Sequence, residues 1–182
     1  ALADITNAIK PDDCHFARTR LLCLENTWSG YALPMDYLAQ TTALARGHGL
    51  AVHLDGARLF NAAAASAQPG ESVSAAARRI ASHFDSVSVC FSKGLGAPAG
   101  RVMAMPRALL SRARRVRKML GGGMRQVGVL AAACLYALDH HLPRLHEDHA
   151  RARRLAEGLR ADGWSLELPE TNLVYVRCTD AH

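Results

Sequence analysis

DSVSVCFSKGLGAPAG, residues 85–100, is the stretch from which the fold can be read. Val87, Val89 and Phe91 alternate in a β-branched and aromatic run, so a short buried strand is expected. The run stops at Ser92-Lys93, and Gly94, Gly96, Pro98 and Gly100 then forbid a regular continuation. A lysine at the mouth of a buried strand suits Schiff-base chemistry. Apolar surroundings disfavour its ammonium form and leave a neutral nucleophile. Glycines beside it let the backbone come close to a bulky group. Alone, the pattern also fits a lysine that begins a surface loop.

Upstream, Leu50 to Leu54 reads as a second buried strand, and it ends in Asp55-Gly56-Ala57-Arg58. Arg20 to Leu24 reads as a third, leading into Glu25-Asn26-Thr27, and Met35 to Gly47 lies between the two as a helix with Leu38, Thr42 and Ala45 on one face. Strand, helix, strand is the unit of a parallel sheet. Parallel strands ending in Asp55 and Lys93 would bring both side chains to the carboxyl edge of one sheet, where open α/β sheets bind ligands. Pyridoxal phosphate needs such a pair: a lysine for the Schiff base, and a carboxylate that keeps the ring nitrogen protonated as an electron sink.

The stretches CLENT (23–27), HLDGAR (53–58), SKGLGAPAG (92–100), RKMLGGGMRQ (117–126) and TNLVYV (171–176) together resemble, in that order, the low-specificity threonine aldolases. These are pyridoxal-phosphate enzymes of fold type I. The resemblance implies an α/β fold: a three-layer, mostly parallel large domain over residues 1–141 and the beginning of a small α+β domain over 142–182. Family members carry sequence before and after these motifs, so the chain is expected to be a fragment. The resemblance further implies aldol cleavage of L-threonine or its allo epimer to glycine and an aldehyde. A related β-elimination, another β-hydroxy amino acid such as phenylserine, and a non-catalytic fragment stay open.

Residue by residue, the resemblance makes Lys93 the Schiff-base lysine and Asp55 the partner of the ring nitrogen. Arg58 would contact the substrate carboxylate or the cofactor's phenolic oxygen. Lys118 and Arg125, flanking three glycines, would approach the active site of a neighbouring subunit, with Arg125 near the phosphate. A homo-oligomer, a dimer of dimers with shared sites, follows from that expectation. Trp28 is a departure, since many members have a histidine straight after Asn-Thr, near the substrate hydroxyl. The identity of the hydroxyl base is therefore open, and Trp28 is a candidate substrate contact. Arg101 departs too, from a small hydroxyl residue.

Composition fits this reading. Of 182 residues, 49% are apolar and 21% charged, ordinary for a soluble globular protein. The formal charge of +6 gathers in Arg107, Arg112, Arg114, Arg115, Arg117 and Lys118. Leu109, Ala113, Val116 and Leu120 form an apolar stripe in that segment, so the arginines read as its solvated or subunit-facing side. No aromatic interleaving offers to stack bases, which argues against nucleic acid. Five scattered cysteines with no CxxC spacing favour a reducing, cytoplasmic setting, three of them reading as small core residues. No run reaches membrane-spanning length.

Gln126 to Leu138 is apolar nearly all round and is expected to be a buried helix. Helix 144–161 should turn Leu145, Ala152, Leu155 and Leu159 inward, with strands near 164–168 and 172–177 after it. His53 reads as a satisfied core histidine. His146-Glu147-Asp148-His149 reads as a solvated face rather than a metal site, for want of a third ligand.

Overall fold

The computed structural model describes residues 1–178. A four-stranded sheet runs in the order β1 (Leu21–Glu25), β2 (Ala51–Gly56), β3 (Ser86–Cys90), β4 (Arg101–Ala104). The first three strands are parallel, and β4 pairs antiparallel with β3. Helix α2 (Met35–Gly47) connects β1 to β2, while α3 (Leu59–Ser66) and α4 (Val73–Ala81) connect β2 to β3. The α/β class and the mostly parallel sheet are thus as expected.

Local chemistry sets these limits. Leu38, Thr41, Thr42 and Ala45 are the buried face of α2, and Gly49 leaves the helix at φ +70°, a left-handed turn that suits glycine. Ser72 caps α4, its side chain accepting the Ala75 N–H at 3.2 Å. In β2 burial alternates: Val52, Leu54 and Gly56 turn to the core, whereas His53 and Asp55 lie on the other face, half-buried. The main core joins Val52, Leu54 and Val87 of the sheet to Leu38, Leu59, Ala62 and Ile80 of the helices. Full burial of a side chain such as Leu54 or Ile80 contributes about 1.5–3 kcal/mol. The face that carries Asp55 is fixed by that packing, because slipping β2 by one residue would expose all of its apolar set.

Beyond β4 come α5 (Leu110–Met119), α6 (Gly128–His140) and α7 (Leu145–Ala161), then a short antiparallel pair, β5 (Ser165–Leu166) and β6 (Val176–Arg177). The last two strands are shorter than expected, and an opening helix, α1 (Leu2–Ala8), had no sequence signal. A second core joins Phe91, Leu95 and Ala97 of the lysine loop to Ala137, Leu142 and Leu145.

Four packing expectations need correction. Helix α6 buries only Ala137; Val129 is 81% exposed, and Leu135 and Tyr136 are also exposed. Helix α5 buries nothing, so its apolar stripe is uncovered along with the arginines. In α7 the inward residues are Leu145, Ala152 and Ala156, while Leu155 faces out. The core accepts alanine there because α3, the helix that α7 packs on, is itself alanine-rich and allows close approach. Cys23 is exposed and Cys90 half-buried, so neither is a core residue, whereas half-buried Cys134 packs against the second core. No helix among the described residues is long and apolar enough to cross a membrane.

Candidate active site

Because β1, β2 and β3 are parallel, their carboxyl ends meet at one edge of the sheet. β1 leads into Asn26-Thr27-Trp28, β2 carries Asp55 at its last residue but one and leads to Arg58, and β3 runs out into the Ser92-Lys93 loop. Antiparallel β4 starts at the same edge, with Arg101 opposite Cys90. The Asn26 N–H donates to the Asp55 carbonyl at 3.0 Å, which extends the ladder to the rim.

Asp55 is held by donors from three elements. Its Oδ1 accepts the Ala57 N–H at 3.0 Å, the Ser88 hydroxyl at 3.4 Å and Arg101 Nη2 at 3.2 Å. Its Oδ2 accepts, among the described residues, from Arg101 alone, at 3.4 Å. One carboxylate oxygen is crowded with donors and the other retains lone-pair capacity. Cys90 first, then Asp55, holds the Arg101 guanidinium above its ordinary range.

Arg58 sits at the start of α3 and is half-buried. Its Nη1 donates to Asn172 Oδ1 at 2.9 Å. Asn172 is placed in turn by buried Thr171, whose hydroxyl donates to the Gly30 carbonyl at 2.5 Å. Gly30 belongs to a tight turn in which Trp28 and Tyr31 exchange two backbone hydrogen bonds of 2.9 Å. Ser29 (φ 49°) and Gly30 (φ 85°) give it the form of a type I′ turn. A Cβ at Gly30 would lie 2.9 Å from Leu173 Cβ, so glycine also admits the close approach. CLENT, HLDGAR and TNLVYV, far apart in sequence, therefore meet at one place.

Lys93 is exposed, which corrects the expectation of apolar surroundings: Phe91 and Leu95 flank it in the core, but the lysine itself is outside. Its loop is fixed by the Gly96 N–H on the Lys93 carbonyl, at 2.8 Å. Gly94 lies directly on buried Asn61. A Cβ there would overlap Asn61 Oδ1 and come within 2.8 Å of Nδ2. Asn61 Nδ2 in turn lies 3.1 Å from His149 Nε2. Burial lowers the His149 pKa, with Asp148 acting against it, so His149 is not part of a solvated face. His53 is satisfied as expected, with Nδ1 2.8 Å from Ser86 Oγ.

Trp28 stands at the same edge, 63% exposed. Lys118 and Arg125 are exposed and make no hydrogen bond or ion pair with Asp55, Arg58 or Lys93 within the chain. The triple glycine itself lies against the end of α5. The Gly121 and Gly122 N–H groups donate to the Lys118 and Arg117 carbonyls at 3.1 and 2.8 Å, a Schellman cap. A Cβ at Gly123 would strike Lys118 Cδ at 2.5 Å.

No local pattern signalled Asn172 as the partner of Arg58, or Arg101 as a partner of Asp55. Asn26 and Thr27 of CLENT are both buried, and among the described residues Asn26 Nδ2 and Thr27 Oγ1 have no partner, a feature no local pattern signalled. Asn26 Oδ1 is used by the Leu33 N–H at 3.1 Å. Two cavities, of about 520 and 180 Å³, lie along α7, and neither is lined by Asp55, Arg58 or Lys93. The carboxyl edge of the sheet thus carries Asp55 and Arg58, with the Lys93 loop leaving from neighbouring β3.

The family model for beta-eliminating lyases matches residues 1–181. The chain belongs to the beta-eliminating lyase family. Within it, the chain is 46% identical to the low specificity L-threonine aldolase of Escherichia coli (strain K12), over 97% of its own length and 51% of that protein. It is 44% identical to the low-specificity L-threonine aldolase 1 of Arabidopsis thaliana, over 91% of its length and 46% of that protein. The solved threonine aldolase of Leishmania major shares its fold, with a TM-score of 0.78 at 24% identity, over 96% of this chain and 51% of that one. A serine palmitoyltransferase from S. paucimobilis solved with bound PLP has a TM-score of 0.66 at 23% identity, over 99% of this chain and 46% of that one. The chain spans about half the length of the curated relatives it matches.

Proposed function

We propose that this chain is part of a pyridoxal-phosphate-dependent aldolase that cleaves L-threonine and related β-hydroxy-α-amino acids to glycine and an aldehyde. The observation that supports this reading is the shared edge: Asp55 stands near the end of β2, Lys93 just beyond the end of neighbouring parallel β3, and Arg58 three residues after Asp55. The residues present fit the cofactor. Asp55 Oδ2 has capacity for a ring N–H, Lys93 is exposed, and Asn26 Nδ2 and Thr27 Oγ1 are buried donors without a partner among the described residues. When bound, pyridoxal phosphate supplies an electron sink for the pair released on Cα–Cβ cleavage.

The chain's own groups have separate tasks in this reading. Lys93 would supply the amine that holds the cofactor. Asp55 keeps a proton on the ring nitrogen. Arg58, held through one nitrogen by Asn172, offers the rest of its fork to the substrate carboxylate. Trp28, bulky and exposed at the edge, would lie against the substrate side chain. Lys118 and Arg125 belong to a neighbouring subunit's site, Arg125 near the phosphate, in a homo-oligomer built as a dimer of dimers. The division at residues 141 and 142 goes with this reading, supported by the start of α7 and a separate small sheet just beyond. A cytoplasmic enzyme of threonine breakdown and glycine formation completes it.

The family's description favours one second reading, β-elimination. Incubation of the full-length protein with pyridoxal phosphate and L-threonine separates the two. Equimolar glycine and acetaldehyde are expected; ammonia with 2-oxobutanoate would establish elimination instead.

A further inference from the structure

We infer that Arg101 is a positioning residue that shares the Asp55 carboxylate and so limits the negative charge Asp55 offers to a protonated ring nitrogen. The inference rests on the reading above, in which Asp55 takes that nitrogen. It starts from the donors around Asp55. The Ala57 N–H and the Ser88 hydroxyl are neutral, and Arg101 is the charged one, touching Oδ1 at 3.2 Å and Oδ2 at 3.4 Å. A guanidinium does not lose its proton in a protein, so this charge is constant. Its place is set by the sheet, because Arg101 opens β4 directly opposite Cys90. A residue carried on a paired strand is held more firmly than one on a loop.

The other groups facing Asp55 do not replace it. Glu25 is the register partner of Asp55 on β1 and adds negative charge, and Cys90 lies beside Arg101. Lys93 is committed to the cofactor in the reading adopted. With Arg101 on both oxygens, a ring N–H meets a carboxylate that is already half engaged, and two cations compete for one anion. Like charges in proximity disfavour protonation, so removing Arg101 raises the proton affinity of the ring nitrogen.

The test uses full-length holoprotein loaded with cofactor labelled with ¹⁵N in the ring. The nitrogen's titration is followed by its chemical shift in wild type, Arg101→Gln, Arg101→Ser and Arg101→Lys. Loss of the charge in Arg101→Gln and Arg101→Ser is expected to raise the midpoint by about one pH unit. That is the low end of what a charge within about 4–6 Å does, since the pair is half exposed. Arg101→Lys should stay close to wild type. An unchanged or lowered midpoint in Arg101→Gln and Arg101→Ser overturns the inference, as does an Arg101→Lys shift equal to theirs. Borohydride trapping of a phosphopyridoxyl adduct on Lys93 in every variant shows that each is folded and loaded. A wild type that gives no adduct overturns the cofactor reading and this inference with it.

Discussion

Arg58 and Asn172, 114 positions apart in the chain, are joined by a 2.9 Å hydrogen bond at the carboxyl edge of the sheet. The bond does for Arg58 what packing does for an apolar side chain: it selects one direction for a long, flexible group. Hydrogen bonds to charged groups contribute about 1.5–3 kcal/mol. Asn172→Ala should therefore lower kcat/KM for threonine about tenfold in the full-length protein, mostly through a higher KM, because the guanidinium remains but is no longer aimed. Steady-state kinetics with pyridoxal phosphate in excess measure this. An unchanged KM would remove Arg58 from the substrate carboxylate.

Gly94 tests the packing that holds the lysine loop. A methyl group there overlaps Asn61, which is buried and engaged with His149, so neither side can yield easily. Gly94→Ala should cost about 1–3 kcal/mol of stability, as overpacking does. Gly158→Ala is the matched control. That glycine lies within α7 with nothing inside 4 Å of a new Cβ, and alanine should stabilise by about 0.5–1 kcal/mol. Thermal melts of the full-length protein should move in opposite directions for the two variants.

Acid stability has an identifiable contributor in Glu71, which takes two hydrogen bonds from Arg79, at 2.9 and 2.7 Å. Arg79 holds its carboxyl down to about 2, against 4.5 for a free glutamate. A depressed folded-state pKa means that the unfolded chain binds the proton first. The contribution is therefore fully present above about pH 4.5 and fades as the pH falls toward 2. Wild type and Glu71→Gln, compared by denaturant unfolding, should differ most at neutral pH and converge across that window.

Much of the frame was legible because it is written in short-range patterns. Val52 and Leu54 alternate with His53 and Asp55, and Pro34 and Gly49 bracket α2, so the limits of that helix could be read directly. The edge followed from the same pattern, since parallel strands must end together. Arg101 on Asp55 was hidden because it depends on the register of an antiparallel strand, which no local signal near residue 101 encodes. Asn172 was hidden by its distance in sequence from Arg58. The apolar run of α6 misled in a different way: such composition states that a face needs covering, not which atoms cover it, and Val129, Leu135 and Tyr136 are exposed. Lys93 was placed at the strand mouth as expected, but its exposure depends on how the loop leaves Phe91.

The central claim is that Lys93 carries the cofactor and Asp55 serves the same ring. Its most direct test is borohydride reduction of the full-length protein after incubation with pyridoxal phosphate, followed by peptide mass spectrometry. A single phosphopyridoxyl adduct on Lys93 is expected, absent in Lys93→Ala and weakened in cofactor affinity in Asp55→Ala. An adduct on another lysine, or an affinity untouched by Asp55→Ala, would contradict the account.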